Sequence, residues 1–366
     1  MFKLAVLGGG SGLSQLLRGL KKFPFDISAI VSVCDDGSST GRLREEFHTP
    51  AVGDIRKVLI SLSENEEEVK ELFDYRFSTS SDLDGHALGN LLLTGASKVK
   101  GNITSGIELV NSLLNLKGKV IPLTEDYVTL MGKMSSGKVV LGEHNITECR
   151  DKIKYVYYKK PPKVNEDVLS SIRHADAIIL SMGSLFTSII PNLLCRDVIL
   201  ELDKSPAKII YVCNIMTQPG ETDGFSAYDH VKLLNKYLGK HKIDAVILNN
   251  GFIEESILKN YETSEQKDLV CFDENKFLKN DITVISGDYI KIFDGVIRHN
   301  SLKVALDIMS YLLDLRWLFW VLQLWLKMKL ASLILWKQKR FRNCQLLFKI
   351  IILMMCWLGL LRKTIQ

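Results

Sequence analysis

A repeating rhythm constrains this chain more than any other feature: short apolar runs of strand length alternate with segments of helical periodicity. The runs fall at residues 3–7, 27–33, 120–123, 177–181, 209–213, 245–249 and 282–286. Helical patterns cover about 13–22, 54–62, 66–74, 86–99, 103–115 and 301–313. Parallel strands need long crossovers, usually helices, so this alternation predicts an α/β protein with a Rossmann-like, mostly parallel sheet and flanking helices. Residues 126–160 break the rhythm. There 127–130, 138–141 and 154–158 are β-rich pieces closed by Pro161-Pro162, which predicts a small inserted antiparallel segment.

The residues that carry chemistry cluster in loops just after these runs, where open α/β sheets place their ligand crevice. Gly8-Gly9-Gly10-Ser11-Gly12 follows the first run and opens a helix. Glycines let backbone N–H groups approach an anion that a helix N-terminus also attracts. Gly9, Gly10, Ser11 and Gly12 are therefore candidates to meet a phosphate, with tight packing as the plainer reading. The spacing is not the dinucleotide fingerprint, since Leu13 stands at the third glycine position, and no Gly-Lys-Ser/Thr ending makes it a P-loop. After the second run comes Asp35-Asp36-Gly37-Ser38-Ser39-Thr40-Gly41-Arg42. Asp35 and Asp36 can hold Mg²⁺, bind ribose hydroxyls or cap the next turn, while Ser38, Ser39 and Arg42 offer phosphate ligands.

Asp54, in Gly53-Asp54-Ile55-Arg56-Lys57, is expected as a helix N-cap rather than a catalytic group. In Gly85-His86-Ala87-Leu88-Gly89-Asn90, His86 is a candidate acid, base or phosphate ligand, or a satisfied histidine at a helix start, with Asn90 four residues on. The run at 177–181 leads into a second candidate anion-binding turn containing Gly183, Ser184, Thr187 and Asn192. Asn214 and Thr217 stand in another dense polar loop, after the run at 209–213. Each loop alone is ordinary. Five in register with strand ends predict a single site for a phosphate-bearing ligand, a nucleotide.

Charge needs dividing before it can be used. The formal net charge is +5, yet all 42 Asp and Glu lie at or before Asp314, while ten of the 47 Lys and Arg follow it. Residues 1–314 therefore carry a net charge of −5, and the basic total gives no argument for nucleic-acid binding. All five Trp also fall in 315–366, a change of regime that bounds a first domain at 1–314. The tail reads either as a basic, aromatic membrane-surface segment or as out-of-frame translation after a frameshift near residue 314; the second accounts better for the loss of every acidic residue. Membrane association is expected only if the tail is authentic. The amino terminus reads as a first strand, not a signal peptide, and the seven Cys show no CxxC pairing, so a reducing, cytoplasmic setting is expected.

Taken in order, GGGSG, CDDGSSTGRLR, GDIRK, GHALGNLLL, GSLFTSIIPNLL and NIMTQPGET resemble the 2-phospho-L-lactate transferase-like superfamily, and within it the branch of bacterial gluconeogenesis factors. The likeness runs from residue 1 to about 313. Thr40 and Met182 depart from the usual pattern, which has a small residue at the first position and Pro or Gly at the second. The resemblance implies a cytoplasmic protein that binds a nucleotide sugar such as UDP-N-acetylglucosamine and serves gluconeogenic growth and cell shape. It also nominates Tyr261 to stack on the base and Arg298 to pair with the pyrophosphate. From sequence alone these two are a surface tyrosine and a loop arginine. The transferase branch instead moves a phospholactyl group from a nucleotide-linked donor, with Mg²⁺, which here would fall to Asp35 and Asp36. No nucleophile–base pair stands out, and the glycine spacing argues against a nicotinamide dehydrogenase. The first expectation is thus a binding and regulatory protein rather than an enzyme, the alternative a Mg²⁺-dependent transferase; homo-oligomerisation is left open.

Overall fold

The computed structural model describes residues 1–293 and 296–313; the tail at 315–366, with both readings of it, lies outside the described residues. The chain divides into Met1–Met309 and Ser310–Gln366, and the account below concerns the first unit. Its strands are β1 (Phe2–Gly8), β2 (Phe25–Val31), β3 (Lys119–Pro122), β4 (Leu130–Met134), β5 (Val139–Leu141), β6 (Ile153–Tyr158), β7 (Ala177–Leu180), β8 (Lys208–Val212), β9 (Ala245–Asn249), β10 (Thr283–Gly287), β11 (Ile290–Phe293) and β12 (Val296–His299). Five helices frame the first half: α1 (Gly10–Leu20), α2 (Ser38–Phe47), α3 (Gly53–Leu62), α4 (Glu66–Asp74) and α5 (Leu88–Lys100). They are followed by α6 (Ile103–Leu114), α7 (Glu143–Glu148), α8 (Glu166–Arg173), α9 (Ile190–Leu193) and α10 (Arg196–Lys204). The last are α11 (Ala227–Tyr237), α12 (Glu255–Asn260), α13 (Glu274–Leu278) and α14 (Ser301–Leu312).

Seven strands form one sheet in the order β10-β9-β8-β7-β1-β2-β3, and every pairing in it is parallel. Central strands buried on both faces need apolar residues throughout, and Ala177, Ile178, Ile179 and Leu180 of β7 are each fully buried. Helices cover the sheet through single apolar faces: Leu13, Leu16, Leu17 and Leu20 of α1 are all inaccessible to solvent. The chain order reverses beside β1. From there β2 and β3 run to one side, while β7 to β10 run to the other. The loops after β1 and β7 therefore part from each other at their carboxyl ends, and a crevice opens between them.

The inserted segment is a three-stranded antiparallel sheet, β5-β4-β6, as its β-rich pieces predict, but its first strand begins three residues later than expected and α7 lies between β5 and β6. A buried latch ties it to the main body. Tyr158 of β6 donates from its hydroxyl to the Pro191 carbonyl at 3.1 Å and touches Cys34 Sγ at 3.3 Å. The short antiparallel pair β11–β12 was not anticipated from the sequence; its register sets Lys291 opposite Arg298.

Candidate functional site

A cavity of about 740 Å³ occupies the crevice, a size suited to a small-molecule ligand. Gly9, Ser11 and Gly12 from the turn after β1 form one wall, and Gly183, Ser184 and Thr187 from the turn after β7 form the facing one. Asn214 and Thr217, after β8, line the floor, and Tyr261 and Arg298 close the side nearest β12. Past Thr147, Gln218 and Lys267 the space continues into a recess of about 420 Å³ beside Arg150 and Glu221.

Two of the three glycine positions in the first turn have identifiable causes. A Cβ on Gly12 would lie 1.8 Å from the Met182 carbonyl oxygen, so the two turns can meet only if residue 12 has no side chain. Gly10 sits at φ +57°, a left-handed conformation that leads from β1 into α1. Gly10 does not line the cavity: its N–H is engaged by the Asp54 carboxylate. Asp54 is thus not an N-cap, a position held by Val52, but a buried group between the glycine turn and Lys57 Nζ, 3.0 Å away. Burial raises its pKa, opposed by Lys57, and Asp35 raises it further.

On the facing wall, a π-type turn over Leu185–Ile189 widens the start of the crossover, a distortion that often marks functional positions. Asn214 clamps the neck of this turn from both sides. Its Oδ1 accepts from Gly183 N at 2.8 Å and its Nδ2 donates to Gly183 O at 2.7 Å. Tyr261 is not a surface residue. It is 5% exposed, packs with Ile215, Ile253 and Ile297, and accepts the Ile297 N–H on its hydroxyl at 2.7 Å. That bond fixes β12, and Arg298, expected in a loop, projects from this strand with its side chain exposed at the cavity. Beside it His299 donates from Nε2 to the Cys213 carbonyl, and burial lowers its pKa to about 4, so it stays neutral.

Several candidate residues are placed elsewhere. Ser39, His86 and Asn90 form a buried cluster joining α2 to α5: Ser39 Oγ lies 3.0 Å from His86 Nδ1 and accepts from Asn90 Nδ2 at 3.1 Å. This is the serine–histidine pair that the sequence did not reveal, but it is buried and none of its members lines the cavity. Arg42 is exposed and donates to the Asp84 carbonyl at 2.6 Å. Ser38, at φ +41°, turns the chain into α2, also away from the cavity. Asn192 is wholly buried and donates to the Ser188 carbonyl at 2.9 Å.

The two aspartates divide. Asp35 Oδ1 accepts from Gly37 N at 3.0 Å, whereas Asp36 Oδ1 accepts from His144 N at 2.8 Å, at the start of α7. Mg²⁺ demands a compact octahedron of oxygens. Among the described residues no group of three or more His, Cys, Asp and Glu side chains is arranged to hold a metal ion. Asp35 is thus engaged within its own loop and Asp36 at the start of the insertion's helix. Two residues that the sequence reading passed over matter more. Arg44, 3% exposed, donates to the carbonyls of Cys34 and Asp35 and stacks on Tyr127, holding the aspartate loop against the insertion. Glu143, at the head of α7, lines the cavity.

A parallel α/β sheet with a polar cleft at its order reversal, walled by glycine turns and one exposed arginine, defines a Rossmann-like protein with a cleft of ligand size where such folds bind their ligands. Residues 4–290 match the family described as 2-phospho-L-lactate transferase CofD, and the chain belongs to that family. It is 44% identical over 315 residues to the gluconeogenesis factor of Bacillus subtilis, covering 86% of this chain and 98% of that one. A gluconeogenesis factor from Halalkalibacterium halodurans is 41% identical over 82% of this chain and 94% of its own length. The crystal structure of a Bacillus halodurans relative, 41% identical, superposes with a TM-score of 0.80 over 83% of this chain and 98% of that one. Among the described residues no helix is long and apolar enough to cross a membrane.

Proposed function

We propose that this protein binds a nucleotide sugar of the UDP-N-acetylglucosamine type in the cleft and acts in the cytoplasm as a regulator of gluconeogenic growth and cell shape. The observation that carries the reading is the pairing of donors across the cleft. The turn at Gly9–Gly12 brings the start of α1 to one side of the cleft, the Ser184 and Thr187 side chains line the facing side, where the Gly183 and Thr187 N–H groups are already committed, and Arg298, engaged by no ion pair among the described residues, offers a cation on a third. Tyr261 supplies a flat apolar contact for a base. The adjoining recess leaves room for a sugar beyond the diphosphate. The names of the two relatives point to gluconeogenesis as the setting. Binding is preferred to phospholactyl transfer because, among the described residues, the Ser39–His86 pair is buried and lies outside the cleft.

Calorimetric titration with UDP-N-acetylglucosamine at fixed salt tests this. Arg298→Ala should weaken binding by about 1.5–3 kcal/mol, the range for hydrogen bonds to charged groups. Lys119→Ala, which removes the same charge at the amino end of β3, should leave affinity unchanged. Equal affinities for both variants would place the ligand elsewhere. Turnover of the sugar nucleotide during long incubation with any acceptor would move the protein to the transferase reading.

A further inference from the structure

Next to Arg298, the strand β12 brings a second polar side chain to the cleft. His299 lines it and is held from two directions. Its ring Nε2 lies 3.0 Å from the Cys213 carbonyl, just past β8, and Gln15 of α1 donates from its own Nε2 to the His299 carbonyl at 2.9 Å. A carbonyl oxygen can only accept, so the imidazole proton must sit on Nε2. The other nitrogen, Nδ1, then carries a lone pair, and it has no hydrogen-bond partner among the described residues. Nor is it sealed in protein, for it is not among the unpartnered polar atoms that are buried from solvent. Burial of the ring lowers its pKa to about 4, which keeps that lone pair free at neutral pH.

The acceptor stands beside the flat, apolar part of the cleft. Alternate residues of a strand share a face, so His299 lies on the same face of β12 as Ile297. Ile297 packs against Tyr261, whose hydroxyl takes its N–H, and Ile215 joins the same cluster. Ile215, Met216 and Val296 continue the apolar lining. A base stacked here meets one fixed polar atom that can accept and cannot donate. Pyrimidines differ at the position that matters. Uracil presents an N–H at N3, whereas cytosine presents a lone pair there.

We propose that His299 selects uracil over cytosine in the ligand: Nδ1 accepts the N3–H of uracil and opposes the N3 lone pair of cytosine. This deepens the nucleotide-sugar reading and rests on it. Stacking is open to every base, since each has a flat face, so Tyr261 alone gives no such preference. The ring needs no rearrangement to read the base, because Cys213 fixes its tautomer before any ligand arrives.

Calorimetric titration of the full chain with UDP and with CDP separates the base from the diphosphate, because the two nucleotides differ only along the pyrimidine edge. UDP should bind about 10- to 100-fold more tightly, the range for leaving a polar group without its partner. UDP methylated at N3 should lose a similar factor. His299→Phe keeps a flat ring without the acceptor and should bring UDP and CDP within about threefold of each other. His299→Asn, whose Oδ1 can take the place of Nδ1, should restore the preference. Arg298→Ala should weaken both nucleotides alike and leave their ratio unchanged, since its partner is phosphate. Should His299→Phe fail to fold, CDP and N3-methylated UDP decide the matter on the wild-type chain. The nitrogen NMR spectrum of the histidine rings adds a direct readout. Ligand-free His299 should be the neutral Nε2–H tautomer, and its Nδ1 signal should move on adding UDP. A ring protonated at Nδ1 overturns the proposal whatever binds. Equal affinities for UDP and CDP overturn it while the nucleotide-sugar reading stands. If neither UDP nor UDP-N-acetylglucosamine binds, that reading fails and the assignment of the base falls with it.

Discussion

At the scale of single residues, the contacts that decide the site are close backbone approaches and committed hydrogen bonds. Gly12 shows the first. With the Met182 carbonyl 1.8 Å from where its Cβ would stand, Gly12→Ala must push α1 away from the turn after β7. We expect a loss of about 1–3 kcal/mol in denaturant unfolding, typical of overpacking, and a larger proportional loss of ligand affinity, because both walls of the cleft meet at this point. Affinity preserved at wild-type level would show that the walls can part without consequence. Sequence reading picked out Gly9, Ser11 and Gly12, since glycine after a strand has a backbone reason to be there. It chose Arg42 over Arg44 because nothing in the residue type says which arginine is buried. Helical geometry decides: Arg44 faces inward onto the Cys34 and Asp35 carbonyls, and Arg42 faces outward onto Asp84. Glu143 was invisible for a related reason, since the cavity it lines is built by turns distant from it in the chain.

At the scale of elements, the parallel strands were legible and the insertion's internal order only partly so. A strand buried on both faces announces itself by its apolar run, and all seven sheet strands fall within two residues of their expected starts. Short, half-exposed pieces such as β11 and β12 carry no such signal, and α7 is too short for its periodicity to be read. Yet the insertion delivers Glu143, so its docking controls the cleft. Tyr158 is the buried latch, and burial together with the Cys34 contact raises its pKa far above the ordinary value, keeping the hydroxyl protonated as a donor to Pro191. Tyr158→Phe leaves that carbonyl without its donor and should cost about 1–3 kcal/mol of stability. Hydrogen exchange should rise selectively in β4–β6 and α7. Uniform change across the sheet would mean that the insertion and the main sheet open as one unit.

At the scale of the whole molecule, the acidic body and the basic, tryptophan-rich tail are separate problems. The cleft and its walls are built from residues between Gly9 and His299. The alignment with the Bacillus subtilis relative spends 315 residues and already covers 98% of that protein, so a complete relative needs nothing of the length of 315–366. The sheet is closed by β10, and α14 packs its buried Val304, Ala305 and Ile308 within the body. A chain ending at Leu313 should therefore melt in one cooperative transition and bind UDP-N-acetylglucosamine with an affinity within about threefold of the full chain, a difference of roughly 0.6 kcal/mol. Removing ten basic residues and one acidic residue, Asp314, also turns the net charge from +5 to −4, so the shortened chain should pass unretained over a cation-exchange resin that holds the full one. Vesicle flotation adds the discriminating arm: a tail that lies on membranes should carry the full chain, and not the shortened one, to anionic vesicles. A truncated protein that aggregates or loses ligand binding while the full chain keeps it would show that residues after 313 support the body, against the reading of the tail as out-of-frame text.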